Sequence, residues 1–174
     1  MPIIANLVIG HEGATTVAGQ SSGLSTGSDR MRFHQIRTLA DAILIGGSTA
    51  RAEPYERTPV PLYVCTNSER PPGSAAANPK AVALRMSPSH AIAAALREHK
   101  TILIEAGPNF LESVLKASLV DTLYLTRVSK SGDGPLFTLD PTTVGLSLVE
   151  EQKSLAGNGS EEDIFQVYAR LPTK

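Results

Sequence analysis

The chain has 174 residues and a mass of 18.4 kDa, which fits one domain, residues 1–174, and is too short for two full enzyme domains. With 16 basic against 17 acidic residues it carries no electrostatic footprint for nucleic acid or acidic lipid. An apolar share of 41% can build a core, the opening residues read as neither a signal peptide nor a membrane span, and a lone cysteine, Cys65, excludes an internal disulfide framework. These features describe a cytoplasmic globular protein in a reducing compartment.

In chain order, residues 3–9 are an apolar run suited to a buried strand, and residues 10–28, rich in Gly and small polar residues, read as a long loop. Ser28 or Asp29 is placed to cap a helix to about Ala40, with Phe33, Ile36 and Ala40 on one face. Arg37 sits at the margin of that apolar stripe, either snorkelling over the core or reaching a phosphate at the sheet edge. Arg30 and Arg32 fall on the opposite side as solvated charges. The segment ADAILIGG reads as a strand closed by two glycines, PLYVC (61–65) as another, and residues 66–79 as a polar, Pro-rich connection. Residues 81–84 form a strand, and Pro88 opens an Ala-rich helix to about His99. The strand TILIE (101–105) turns through Ala-Gly-Pro into a helix to about Ser118, with Leu111, Val114, Leu115 and Ser118 facing inward. Residues 121–128 alternate like a strand, and two more strands, 144–151 and 164–171, flank a linker at 152–163. Strand–helix alternation followed by a helix-free tail predicts an α/β fold: a mostly parallel central sheet flanked by helices, with a C-terminal antiparallel hairpin.

Two places share one design, an apolar strand, a glycine turn and a helix start. One carries Gly46, Gly47 and Thr49; the other carries Glu105, Gly107, Pro108 and Asn109. Strand C-termini in parallel sheets converge on a crevice, and glycines let a phosphate approach free backbone N–H groups. Both turns are equally compatible with ordinary strand-to-helix connections. Glu105 ends an apolar run at that edge, and Glu53 and Glu12 lie in loops after strands. All three acids either face one cleft, where neighbouring carboxylates supply a proton donor, or are surface acids. His11, His34, His90 and His99 have no metal-ligand spacing, so no metal is expected. Cys65 reads as a buried small residue, and Asn158-Gly159-Ser160 as a turn.

In combination, DRMRFHQIRTLADAILIGGSTARAEPY, ILIEAGPNFLESVLKASLVDTLYLTRV and SGDGPLF resemble the reductase family of riboflavin biosynthesis, the RibD C-terminal type. The resemblance implies a dihydrofolate-reductase-like fold, NADPH as hydride donor, and a homodimer. It implies reduction of 5-amino-6-(5-phosphoribosylamino)uracil at ribose C1′, with the hydride chemistry belonging to the cofactor. Position by position, Thr49 and Glu53 fall where the family touches NADPH or the ribose. Gly107, Pro108, Asn109, Phe110 and Leu111 fall on the pyrophosphate turn, after the Gly46-Gly47 bend, and Asn67 and Ser68 where the 2′-phosphate is read. Asn6, Ser21, Arg37 and Glu105 fall on substrate-side positions, Arg37 toward the 5′-phosphate. The N-terminal block departs from the family pattern: Asn6 stands for a frequent lysine, Gly10-His11 for Ser-Leu, and Glu12 for an aspartate. Glu105 and Glu12 are the acids expected to supply a proton or orient the substrate. Two other readings stay open: a reductase of a pterin, dihydrofolate or another small carbonyl or imine, and a non-catalytic nucleotide-binding relative. Arg70 and Arg51 read either as 2′-phosphate partners or as surface cations.

Overall fold

The short apolar runs at residues 42–46 and 102–104 become strands buried on both faces, as the centre of a parallel sheet under helices requires. The computed structural model describes residues 1–155 and 162–172. Its strands are β1 (Ile3–Ile9), β2 (Ala42–Gly46), β3 (Leu62–Cys65), β4 (Ala81–Leu84), β5 (Ile102–Ile104), β6 (Thr122–Arg127), β7 (Ser147–Leu155) and β8 (Glu162–Ala169). They form one eight-stranded sheet in the order β4-β3-β2-β5-β1-β6-β8-β7. All pairings from β4 to β6 are parallel, while β6–β8 and β7–β8 are antiparallel, as the alternation and the helix-free tail predict.

The helices are α1 (Gly27–Arg37), α2 (Gly47–Ala52), α3 (Pro88–Ala95) and α4 (Pro108–Lys116). Ile36 of α1 and Ala50 of α2 pack with Ile4, Ile43, Ile45 and Leu103 on one face of the sheet. Ala91 and Ile92 of α3 and Leu111, Val114 and Leu115 of α4 pack with Ile3, Ala5, Leu44, Ile102 and Ile104 on the other. The chain therefore leaves β2 along the first face toward β3, and leaves β5 along the second face toward β6. Since β2 and β5 are neighbours, their departing segments diverge and open a crevice between their C-terminal ends.

Several local expectations are corrected. Thr26, not Ser28 or Asp29, caps α1, its hydroxyl accepting from Asp29 N at 3.1 Å. Ser118 is exposed, not inward-facing: α4 ends at Lys116, and Ser118 takes φ 57°. There Ser118 N donates to Leu115 O (2.9 Å) and Leu119 N to Val114 O (3.0 Å), a Schellman cap that the sequence signals with no glycine. The helix opened by Pro88 stops at Ala95, after Ser87 caps it. Of the stretch expected as a linker, residues 152–155 and 162–163 are strand, because β7 runs on to Leu155 and β8 begins at Glu162. Within it Lys153 is exposed on the edge strand β7, whereas Asp163 on β8 is buried and accepts a hydrogen bond from the Thr26 hydroxyl, so no apolar alternation marks the stretch. Asn158-Gly159-Ser160 lies outside the described residues.

Arg32 is not a solvated charge. Its guanidinium donates to Leu125 O (3.2 Å), Thr126 Oγ1 (3.1 Å) and Gln166 O (2.9 Å), and lies 4.8 Å from the Phe165 ring centroid. Burial pulls its pKa below the ordinary arginine value, against the opposing pull of Asp29 and Glu150.

Candidate active site

The two glycine bends meet at the mouth of the β2–β5 crevice. Thr49 Oγ1 accepts a hydrogen bond from Gly107 N at 3.3 Å, and a Cβ on Gly46 would stand 3.3 Å from the Phe110 ring. The turn after β3 joins them: a Cβ on Gly47 would stand 3.0 Å from Thr66 Oγ1, which itself accepts from Ser68 N at 3.2 Å. Asn67, Ser68 and Asn109 are exposed around this mouth. Pro108 is buried, and Leu111 packs wholly into the core with its N–H committed to Gly107 O, so its side chain faces away from the mouth.

Gly107 differs from the other glycines of the bends. It has ordinary backbone angles (φ −62°, ψ 169°), and a Cβ there would meet nothing within 4 Å. Neither strain nor packing in the protein requires a glycine at this N-cap, which leaves open space against backbone at the start of α4.

Beside the bends, Glu105 follows β5 on the face covered by α1. Arg37, the last residue of α1, grips it with both prongs: Nε to Oε1 and Nη2 to Oε2, each 2.7 Å. The Tyr55 hydroxyl, from the segment after α2, donates to Oε2 at 2.7 Å. The side chains of Glu105 and Arg37 are 5% and 16% exposed, and Arg37 also lies 4.3 Å from the Phe33 ring centroid and 5.7 Å from that of Tyr55. Burial opposes the Arg37 charge, but the hydrogen bonds and charge of Glu105 prevail and raise its pKa. Burial, reinforced by the Glu105 charge, pushes the Tyr55 phenol well above its ordinary range. Tyr55 is a neutral donor to a carboxylate that the fork also holds.

Arg37 is therefore engaged in an ion pair, which neither sequence reading of it includes. A partner 68 residues away leaves no trace in helical spacing. Tyr55 is absent from the sequence-derived candidates although it closes the segment STARAEPY; its buried hydroxyl, not its position, marks it. Asn6 lies on β1 with Ala5 paired to Ile104, so Asn6 comes level with Glu105 on the same face.

The acids do not share one cleft. Glu53 Oε1 accepts from Ser21 N at 2.6 Å, so these two candidate residues hold each other and tie the loop after β1 to the segment after α2. Glu12 is exposed and lines a separate cavity of about 470 Å³ with His11, Arg127, Asp140 and Tyr168. Tyr168 belongs to the face of α3 and α4, across the sheet from Glu105. The loop carrying Glu12 is clamped by residues 130–137: His11 N donates to Lys130 O (2.9 Å), Thr15 N to Pro135 O (3.1 Å) and Phe137 N to Gly13 O (2.8 Å). Cys65 is half-buried, its thiol 3.0 Å from Met86 O and its pKa raised by burial. Among the described residues no helix is long and apolar enough to cross a membrane.

The family model described as the RibD C-terminal domain matches residues 2–138. Dihydrofolate reductase from Enterococcus faecalis, complexed with NADP(H) and RAB-propyl, superposes with a TM-score of 0.71 at 13% identity, covering 98% of this chain and 97% of that one. A pyrimidine reductase-like protein from Corynebacterium diphtheriae superposes with a TM-score of 0.70 at 21% identity, covering 99% and 92%. No curated protein sequence matches the chain. The fold is thus that of dihydrofolate reductase.

Proposed function

The chain belongs to the RibD C-terminal domain family, and on that premise we propose that it is an NADPH-dependent reductase acting on 5-amino-6-(5-phosphoribosylamino)uracil or a close relative. Its product would carry a ribityl chain reduced at C1′. The observation that carries this reading is the meeting of two glycine bends at the β2–β5 crevice, with open space at Gly107. That cradle suits a pyrophosphate, which takes backbone N–H donors and the positive end of α4. The bound coenzyme supplies the hydride.

In this reading Gly46, Gly47, Thr49 and residues 107–110 hold the coenzyme's pyrophosphate and ribose. Asn67 and Ser68, exposed beside Gly47, read its adenosine end. The Glu53–Ser21 contact walls the coenzyme side from the substrate side. Asn6, Glu105 and Arg37 face the substrate: Glu105 fixes the Arg37 fork, and Arg37, the more exposed of the pair, meets an anionic group such as a phosphate. Glu12, across the sheet, takes no part. The protein is further proposed to act as a cytoplasmic homodimer, which sedimentation of the purified chain checks.

The test follows NADPH absorbance with the aminouracil ribotide and, in parallel, with dihydrofolate. Oxidation with the ribotide and none with dihydrofolate supports the assignment. Oxidation with dihydrofolate alone overturns the substrate, and binding of NADPH without turnover of either overturns the enzyme reading.

A further inference from the structure

Glu105 has four acceptor positions on its two oxygens, and three are filled by protein donors: two from Arg37 and one from Tyr55. The three residues come from separate elements, the end of α1, the end of β5 and the segment after α2, so their contacts join the parts that frame the crevice. Tyr55 is itself held firmly. Its backbone N donates to Ser74 Oγ (2.7 Å), Ser74 Oγ donates to Glu53 O (2.6 Å), and Asn78 Nδ2 donates to Tyr55 O (3.0 Å). The hydroxyl is thus a fixed donor, while Arg37 sits on a long side chain with greater exposure.

From this geometry we infer that Tyr55 is a positioning residue for the reduction: its hydroxyl holds the Glu105 carboxylate in place and, through it, the Arg37 guanidinium that faces the substrate. The inference rests on the reductase reading above and adds to it the group that sets the substrate-side geometry. Tyr55 is 5% exposed and its hydroxyl donates to Glu105, so it acts through that carboxylate. Without the hydroxyl, the carboxylate keeps the fork but loses the donor anchored to the rigid segment, and the ion pair turns as a unit away from the productive pose. Misplacement on that scale lowers turnover while leaving the coenzyme cradle, built from backbone, intact.

The experiment compares wild type, Tyr55→Phe, Glu105→Gln and the double variant, by NADPH fluorescence titration and by steady-state oxidation of NADPH with the aminouracil ribotide. Phe keeps the ring that packs beside Arg37. The expected result is kcat lowered about tenfold in Tyr55→Phe, as loss of one charge-assisted hydrogen bond implies, with the NADPH Kd within twofold of wild type. In the Glu105→Gln background, adding Tyr55→Phe lowers kcat little further, because the hydroxyl has no carboxylate left to position. Unchanged kcat in Tyr55→Phe, or an undiminished tenfold loss on top of Glu105→Gln, overturns the inference and leaves the reductase reading standing. No turnover by wild type overturns that reading and this inference with it.

Discussion

At the scale of single residues, the ion pair of Arg37 and Glu105 is worth most as something not to be broken. Its members are 16% and 5% exposed, and without Arg37 the buried Glu105 charge keeps only the Tyr55 hydrogen bond and no counter-charge. Arg37→Ala is expected to lower stability by about 3 kcal/mol in urea denaturation. Arg37→Lys is expected to recover only part of this, since an ammonium cannot supply the two-pronged contact; full recovery by Lys would mean that charge alone matters. Tyr55 adds a pH dependence of known sign. Its phenol is raised above the ordinary tyrosine value of about 10, so the neutral form belongs to the folded state and ionisation to the unfolded one. That contribution is complete below pH about 10 and is lost as pH rises through the higher folded-state value. Thermal melts should therefore show wild type losing its advantage over Tyr55→Phe between neutral and strongly alkaline pH. A gap that stays constant across that range would contradict the buried hydroxyl.

At the scale of elements, strand positions are legible in the sequence because burial on both faces writes apolar runs, and β1 and β3 emerge close to where the pattern puts them. Helix ends are less legible, since they depend on caps. Ser118 continues the apolar spacing of α4 yet closes it in the left-handed region, with Leu119 folding back toward the core. Ser118→Gly is expected to raise stability by about 1 kcal/mol, read as a rise in Tm, by removing the cost of a Cβ at that φ. The reverse holds at Gly73, which has φ 60° and sits where a Cβ would stand 2.2 Å from Ala50 O and 2.6 Å from Arg51 Cα. That close approach docks the segment carrying Ser74 and Asn78 against α2 and so supports Tyr55. Gly73→Ala is expected to cost about 3 kcal/mol or more, and an unaffected urea midpoint would show that α2 is not seated there.

At the scale of the whole molecule, function follows from where the chain reverses. Connections leave β2 on one face and β5 on the other, and the two glycine turns lie at that divergence, so a crevice exists before any side chain is chosen. The turns and Glu105 can be read in the sequence because each is local. The closing of Arg37 and Tyr55 on Glu105 cannot, nor can the removal of Glu12 to the opposite face, because both depend on strand order. Among these features, the open space at Gly107 separates folding from binding most cleanly. Asp is a better helix N-cap than Gly, and its carboxylate in that space would repel a pyrophosphate. The decisive measurement is the Tm of wild type and Gly107→Asp with and without saturating NADPH. Wild type should gain several degrees from ligand binding to its native state, while Gly107→Asp should match or exceed the wild-type Tm when free and gain nothing from NADPH. An equal NADPH-induced rise in both proteins would show that the coenzyme does not lie on these bends.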